Sequence, residues 1–160
     1  MDKYYEKLSS KRTEWLFIML TAIFFLLFAW RLKVSDWDGL AIVFFVFFFL
    51  FLLYSINYRT LIIRITAEAL KLSFGIFTWT VPFENIESCS LDEIFVFMKY
   101  SGAGIHFMMI RKRYRASFNF LEYPRVVIEF KNKVGPVRDI SFSTRRPEEV
   151  LRNIRETMSA

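Results

Sequence analysis

The residue types that carry most enzyme chemistry are scarce in this chain. It has one histidine, His106, and one cysteine, Cys89, among 160 residues. An activated nucleophile needs an adjacent base, and a transition-metal site needs several histidine, cysteine or carboxylate ligands close together. His106 lies in a predicted strand between Ile105 and Phe107, where a structural role is the simpler interpretation. Cys89 fits a small apolar side chain in a buried position and, being single, excludes an internal disulfide.

Two pairs of adjacent carboxylates, Asp92-Glu93 and Glu148-Glu149, have the chemistry of general acids and bases. The second pair follows Pro147 at a predicted helix start, where the helix dipole favours negative charge, and the first pair fits a loop. Gly102-Ala103-Gly104 lacks the lysine of a phosphate-binding loop and is interpreted as a turn. We therefore predict no catalytic residue, no cofactor-binding residue and no metal site. The expected protein is not an enzyme and has no evident small-molecule substrate.

One short segment carries concentrated positive charge. Residues 108–116 read MMIRKRYRA. This segment is interpreted as a solvated strand end, a contact with anionic lipid headgroups, or a contact with an acidic protein segment. Nucleic acid suits it less, because the chain shows no recognised nucleic-acid fold or aromatic platform. The residues predicted for the lipid or protein contact are Arg111, Lys112, Arg113 and Arg115, with Phe107, Met108, Met109 and Ile110 as apolar neighbours at the membrane interface.

Which partners residues 108–116 can contact depends on the helices and strands that position them. Two long stretches carry no charge: WLFIMLTAIFFLLFAW, residues 15–30, and LAIVFFVFFFLFLLYSI, residues 40–56. As helices rising about 1.5 Å per residue, each covers roughly 24–25 Å. That length approaches the ~30 Å hydrocarbon core of a bilayer, and flanking aromatic residues supply the remainder. We predict two transmembrane helices, over about 15–31 and 40–56, with interface anchors at Trp15, Trp30, Trp37 and Tyr54.

The surroundings of these stretches predict their orientation. A secretory signal is a weaker interpretation, because Glu14 abuts the first stretch and a second one follows at once. Lys and Arg are more frequent before the first stretch and after the second than between them, which predicts that both termini are cytoplasmic. The stretches contain no charged side chain and therefore indicate an anchor rather than a transporter. The expected location is a prokaryotic plasma membrane crossed twice, and a homo-oligomer remains open.

From residue 57 onward, apolar residues alternate with a period of two. The runs LIIRIT, LKLSF, FTWTV, VVIEF and DISFS each place their apolar side chains on one face, with glycine and proline turn signals between them. After Thr144 the apolar spacing becomes helical, in RRPEEVLRNIRETM. We predict a mainly-β domain over residues 57–160, with about seven antiparallel strands capped by one C-terminal helix. A cytoplasmic tail, residues 1–14, and the helical hairpin, residues 15–56, precede it.

Several weak motifs follow one another in this domain. Residues 58–88 read YRTLIIRITAEALKLSFGIFTWTVPFENIES, Gly102, Gly104 and Ile105 form a Gly-x-Gly-Ile turn, and residues 144–148 read TRRPE. In this order, over residues 58–156, they resemble the bacterial pleckstrin-homology (PH)-like domain family. The resemblance implies a PH-like fold, and two spans before such a domain are frequent in that family. The chain departs from the pattern at Ala69, where the family often has glycine, and in its longer, more basic FMMIRKRYR segment.

Two functions follow as expectations. The first is a membrane-anchored PH-like binding or scaffold module on the cytoplasmic face, which captures a protein or lipid partner. An open sheet edge, or a groove beside the last helix near Val150 and Ile154, would accept a peptide. The alternative is a structural subunit of a larger membrane complex, assembled through the Phe-rich hairpin.

Overall fold

The computed structural model describes residues 2–35, 37–92, 103–110 and 112–159. A short strand, β1 (Tyr4–Ser9), precedes two long helices, α1 (Lys11–Val34) and α2 (Gly39–Asn57). The elements that follow are β2 (Thr60–Ile65), β3 (Ala69–Phe74), β4 (Phe77–Pro82), β5 (Ile86–Leu91), β6 (Gly104–Ile110), β7 (Arg113–Asn119), β8 (Arg125–Val134), β9 (Val137–Ser143) and α3 (Pro147–Met158).

The two long helices coincide with the two uncharged stretches and extend slightly beyond them. Each begins at a capping side chain: Ser10 Oγ accepts from the Thr13 N–H at 3.1 Å, and Asp38 Oδ1 accepts from the Ala41 N–H at 2.9 Å. Only 6% and 11% of their most apolar windows are buried, so neither is the core helix of the β domain. Both helices are long and apolar enough to cross a membrane.

Aromatic rings hold the two helices together. The Phe24 ring stacks on Phe47 and Phe51 of α2, with centroids 5.1 and 5.4 Å away. Nearer the connection, Phe28 lies 5.2 Å from Phe45. Three predicted interface anchors, Trp15, Trp30 and Trp37, are exposed, and the fourth, Tyr54, is half-buried in the last turn of α2.

The N-terminal segment is a strand, and the predicted tail of residues 1–14 is corrected accordingly. β1 pairs antiparallel with β2 over six residue pairs, from Tyr4↔Ile65 to Ser9↔Thr60. Tyr4 and Leu8 are buried in the core. Glu6 is buried between them, and its carboxylate accepts hydrogen bonds from the Tyr4 and Thr144 hydroxyls and from the Arg145 N–H. A carboxylate at the central core-facing position hides the strand pattern from sequence inspection.

The described residues form nine strands in two sheets, against about seven strands predicted. The first sheet has the order β1-β2-β3-β4, and the second has the order β5-β8-β9-β7-β6. The predicted all-antiparallel pairing needs a correction, because β7 and β9 are parallel. The reason is that β8 and β9 form a hairpin in which β9, rather than β8, lies beside β7.

The two sheets and α3 enclose one core. The first sheet contributes Leu61, Leu72 and Phe74, and the second contributes Phe118, Ile128, Ile140 and Phe142, all essentially inaccessible to solvent. α3 packs against β5 and β8, with Val150 and Ile154 at 0% exposure. Neither side chain is therefore exposed in the groove that was predicted beside them, because α3 turns this apolar face toward the core.

We expect a fragment of residues 57–160 to be far less stable than a helix-free version in which residues 2–10 are joined to residues 57–160 by a Gly-Ser linker. The fragment lacks β1 and the core positions of Tyr4 and Leu8. Truncating one buried leucine alone costs about 2–5 kcal/mol. Thermal unfolding followed by circular dichroism compares the two proteins. The melting temperature of the linked version with Leu8→Ala should lie between those of the fragment and the unmodified linked version. Equal melting temperatures of the fragment and the linked version would show that β1 is dispensable.

Candidate functional site

A cavity of about 560 Å³ lies where the helices join the β domain. Its volume falls within the roughly 300–1,000 Å³ typical of small-molecule pockets. We call it the corner cavity. Its lining comes from the end of α2, from β4, β6 and β7, and is mostly aromatic: Tyr54, Tyr58, Phe77, Thr78, Trp79, Ile105, His106, Phe107 and Phe118.

The corner cavity exists because two edge strands meet there without pairing. β4 ends the first sheet and β6 ends the second, so among the described strands each has a neighbour on one side only. The start of β4 lies over the second sheet at its β6 side, where Trp79 packs 6.2 Å from Phe118. The other end of β4 leads through a 3₁₀ turn, Phe83–Asn85, directly into β5 and closes that corner. Within the described residues, the outer backbone groups of β4 and β6 have no strand partner.

Tyr58 fixes the cavity to the helices. Its ring lies 4.7 Å from Tyr54 and 5.1 Å from Phe74, and thus bridges α2 and the core. Two glycines with positive φ permit the close approach: a Cβ on Gly104 would lie 2.9 Å from the Tyr58 ring, and one on Gly75 would lie 2.4 Å from the Asn57 carbonyl oxygen. The cavity floor is therefore held by direct contact between the domain and the end of α2.

The cavity offers little polar chemistry. Burial, and secondarily the positive charge of Arg125, lower the pKa of His106, so its ring is neutral at pH 7. Within the part of the chain that the structure describes, no group of three His, Cys, Asp or Glu residues is placed to hold a metal ion. The arrangement suits binding of an apolar group rather than acid–base catalysis.

The predicted basic contact does not form one continuous surface. Arg111 lies outside the described residues, as do Glu93 and Gly102. Lys112 is exposed in the turn between β6 and β7, with φ of 64°. Arg113 is exposed, and its Nη1 lies 3.5 Å from Glu129 Oε1, a solvent-accessible pair that contributes little stability.

Of the basic residues predicted to contact lipid or an acidic partner, Arg115 departs most clearly from the prediction. Its side chain is buried, and its guanidinium donates to Asp92 Oδ1 and to Asp139 Oδ2, both at 3.0 Å. It lies within β7 on the face of the second sheet opposite the core, so it cannot reach a lipid headgroup. Burial raises the pKa of Asp92 although Arg115 and Arg125 act in the opposite direction. Sequence inspection missed this cluster because its three members lie far apart in the chain.

The predicted apolar neighbours divide along β6. Phe107 and Met109 are each 60% exposed, whereas Met108 and Ile110 are half-buried. Phe107 borders the corner cavity. The β7 end of β6 lies farther from the cavity, because Ile110 is six positions along the strand from Gly104, which contacts Tyr58. Six positions cover about 20 Å along a strand. The sequence analysis grouped all four residues at the membrane interface, and no sequence signal placed β4 beside them.

No family model, curated protein or solved structure matches the chain. The interpretation of the corner cavity therefore depends on its own geometry and chemistry.

We expect Arg115→Leu to lower the free energy of unfolding by about 3–5 kcal/mol, because it removes the cation that two buried carboxylates share. Arg113→Leu is the matched control, and a change at this exposed site should stay within about 0.5 kcal/mol. Thermal unfolding of the full chain in detergent compares them. Adding Asp92→Asn and Asp139→Asn should restore part of the loss. Equal effects of the two arginine substitutions would contradict the buried cluster.

Proposed function

We propose that the chain is a membrane-anchored binding module with a PH-like domain, which captures a protein or lipid partner at the cytoplasmic face of a prokaryotic plasma membrane. The observation that carries this proposal is the corner cavity, an open apolar site at the end of α2, between two sheet edges that have no further neighbour among the described strands. Sites of this kind, concave and mostly apolar, are typical of ligand binding.

Two features support the PH-like part of the proposal. The domain has two packed sheets, and a C-terminal helix covers one side of the core, as the resemblance implies. Two other features are additions to that pattern: β1 comes from before the helices, and β7 lies parallel to β9. Because PH-like folds serve many roles, the binding function is argued from the cavity and not from the fold.

The membrane part of the proposal is supported by the two helices and by the strand pairing at their ends. Their apolar side chains are widely exposed, which is unfavourable in water and favourable in lipid. β1 and β2 pair directly, so a hairpin that crosses the membrane must leave and return on the same side. The Lys and Arg bias supports the cytoplasm as that side.

We therefore expect reporters at the two termini to give the same answer. Green fluorescent protein fused to either end should fluoresce in a bacterial host, because it folds in the cytoplasm. Alkaline phosphatase inserted in the connection between α1 and α2 should be active, since that connection would lie outside. Opposite signals from the two termini would be incompatible with β1–β2 pairing across a spanning hairpin.

Exposed apolar residues beside the cavity support a binding role. Phe107 lines the cavity and is 60% exposed, and Ile76, which precedes the lining residue Phe77 in the turn between β3 and β4, is 80% exposed. A peptide adding to the β6 edge would pair with its free backbone and cover Phe107. A lipid reaching the cavity would cover the same side chain.

We expect a photocrosslinking amino acid at Phe107, in the full chain in native membranes, to yield one dominant adduct with a protein or a lipid. Val134, at the far end of β8, is the control because it is also an exposed apolar residue. A probe there should yield no such adduct. No adduct at Phe107, or the same mixture at both positions, would overturn the binding proposal.

One observation favours a structural subunit as the second candidate. A shallow groove of about 370 Å³ lies on the helical hairpin, lined partly by Thr21, Ala22 and Ser55. Both hydroxyl groups donate to carbonyl oxygens of their own helices, so the groove is apolar and accessible to a neighbouring helix. A crosslinking probe at Ala22 in the same membranes discriminates between the candidates. A stoichiometric protein adduct there, with none at Phe107, would favour assembly through the hairpin.

A further inference from the structure

We infer that the corner cavity holds one acyl chain of a membrane phospholipid, whose headgroup stays at the rim beside the end of α2. This inference rests on the proposed membrane anchorage and names the ligand of the same site.

The lining selects against a charged ligand. Its described residues include no Lys, Arg, Asp or Glu, and its depth is formed by Tyr58, Trp79 and Phe118. The His106 ring is neutral because its pKa is lowered. A charged group entering this space would lose its hydration without gaining an ionic partner, which is strongly unfavourable. An aliphatic chain loses only unfavourable contact with water.

One wall of the cavity belongs to a helix that would face lipid in a spanning hairpin. Tyr54, in the last turn of α2, forms part of this wall, and Leu53 and Ile56 are exposed on other faces of the same turn. The cavity therefore adjoins a helix end whose exposed Leu53 and Ile56 would contact lipid. Phospholipid is the apolar molecule present in greatest amount at that position, so a chain from the adjoining leaflet is the ligand with the most direct access.

A cation follows the cavity-lining Tyr58 in the chain. The Arg59 side chain is 57% exposed, and its Nε donates to the Ser55 carbonyl oxygen at 3.0 Å and lies 3.5 Å from Glu14. The pair with Glu14 is solvent-accessible and therefore weak. A lipid phosphate near the end of α2 would accept from the guanidinium in place of Glu14.

The volume is large enough to take up an acyl chain. At about 560 Å³, it lies within the range of pockets that bury a small organic molecule. A peptide side chain would fill only part of it.

The experiment uses the full chain in nanodiscs that contain phosphatidylglycerol and a small fraction of a phospholipid with a diazirine at the end of one acyl chain. After illumination and digestion, mass spectrometry identifies the labelled peptides. We expect labels on β4, on β6 and around Phe118, in addition to α1 and α2. Ile105→Trp, which fills the cavity, should reduce the domain labels severalfold and leave the helix labels unchanged.

Leu91→Trp is the matched control, because Leu91 is an exposed apolar residue on β5, at the opposite edge of the second sheet. It should retain all labels. If Ile105→Trp does not fold, Thr78→Trp on the exposed β4 wall of the cavity replaces it. Labels confined to α1 and α2 in the unmodified chain, or domain labels unaffected by filling, would overturn the inference. A protein adduct at Phe107 would then still support the proposed binding module. If neither the domain labels nor an adduct at Phe107 were found, the binding module would be overturned as well.

Discussion

The architecture depends on the pairing of β1 with β2 across the two long helices. Six residue pairs join segments that are separated along the chain by the entire helical hairpin. Because this pairing closes a long loop, it is entropically demanding and must be offset by the burial of Tyr4 and Leu8. It brings the two ends of the hairpin side by side at one sheet. The corner cavity follows from it, since only Tyr58 and Arg59 separate α2 from β2.

Two buried polar clusters reinforce this arrangement, one at β1 and one in the second sheet. Glu6 joins the first strand to the start of α3 through Thr144 and Arg145, and the burial of Tyr4 beside this carboxylate raises the pKa of its hydroxyl. Arg115 joins three strands or strand ends of the second sheet through its two aspartates. Such clusters require specific partners, because a buried polar group left unpaired is unfavourable. They therefore favour one register of each sheet over its alternatives.

Sequence patterns predicted where helices and strands lie better than they predicted which elements pack or pair with each other. Uncharged stretches identified both long helices, and period-two alternation identified strands such as β2, β3 and β9, because those signals are local. β1 escaped notice because Glu6 occupies a core-facing position. The burial of Arg115 and the parallel β7–β9 pair depend on residues distant in the chain, which local periodicity cannot reveal. The corner cavity has the same origin: β6 and Phe107 were expected to matter, but their neighbours on β4 and α2 come from other regions.

The contacts of Gly75 and Gly104 with the end of α2 have a mechanical consequence. With no room for a side chain at either contact, the β domain cannot pivot on α2 as it would on a flexible linker. α1 has 24 residues and α2 has 19, so a hairpin in a bilayer of mismatched thickness adjusts mainly by tilting. A change of tilt would carry the whole domain with it. The lateral composition of the membrane, through its thickness, would then set the angle between the domain and the membrane surface.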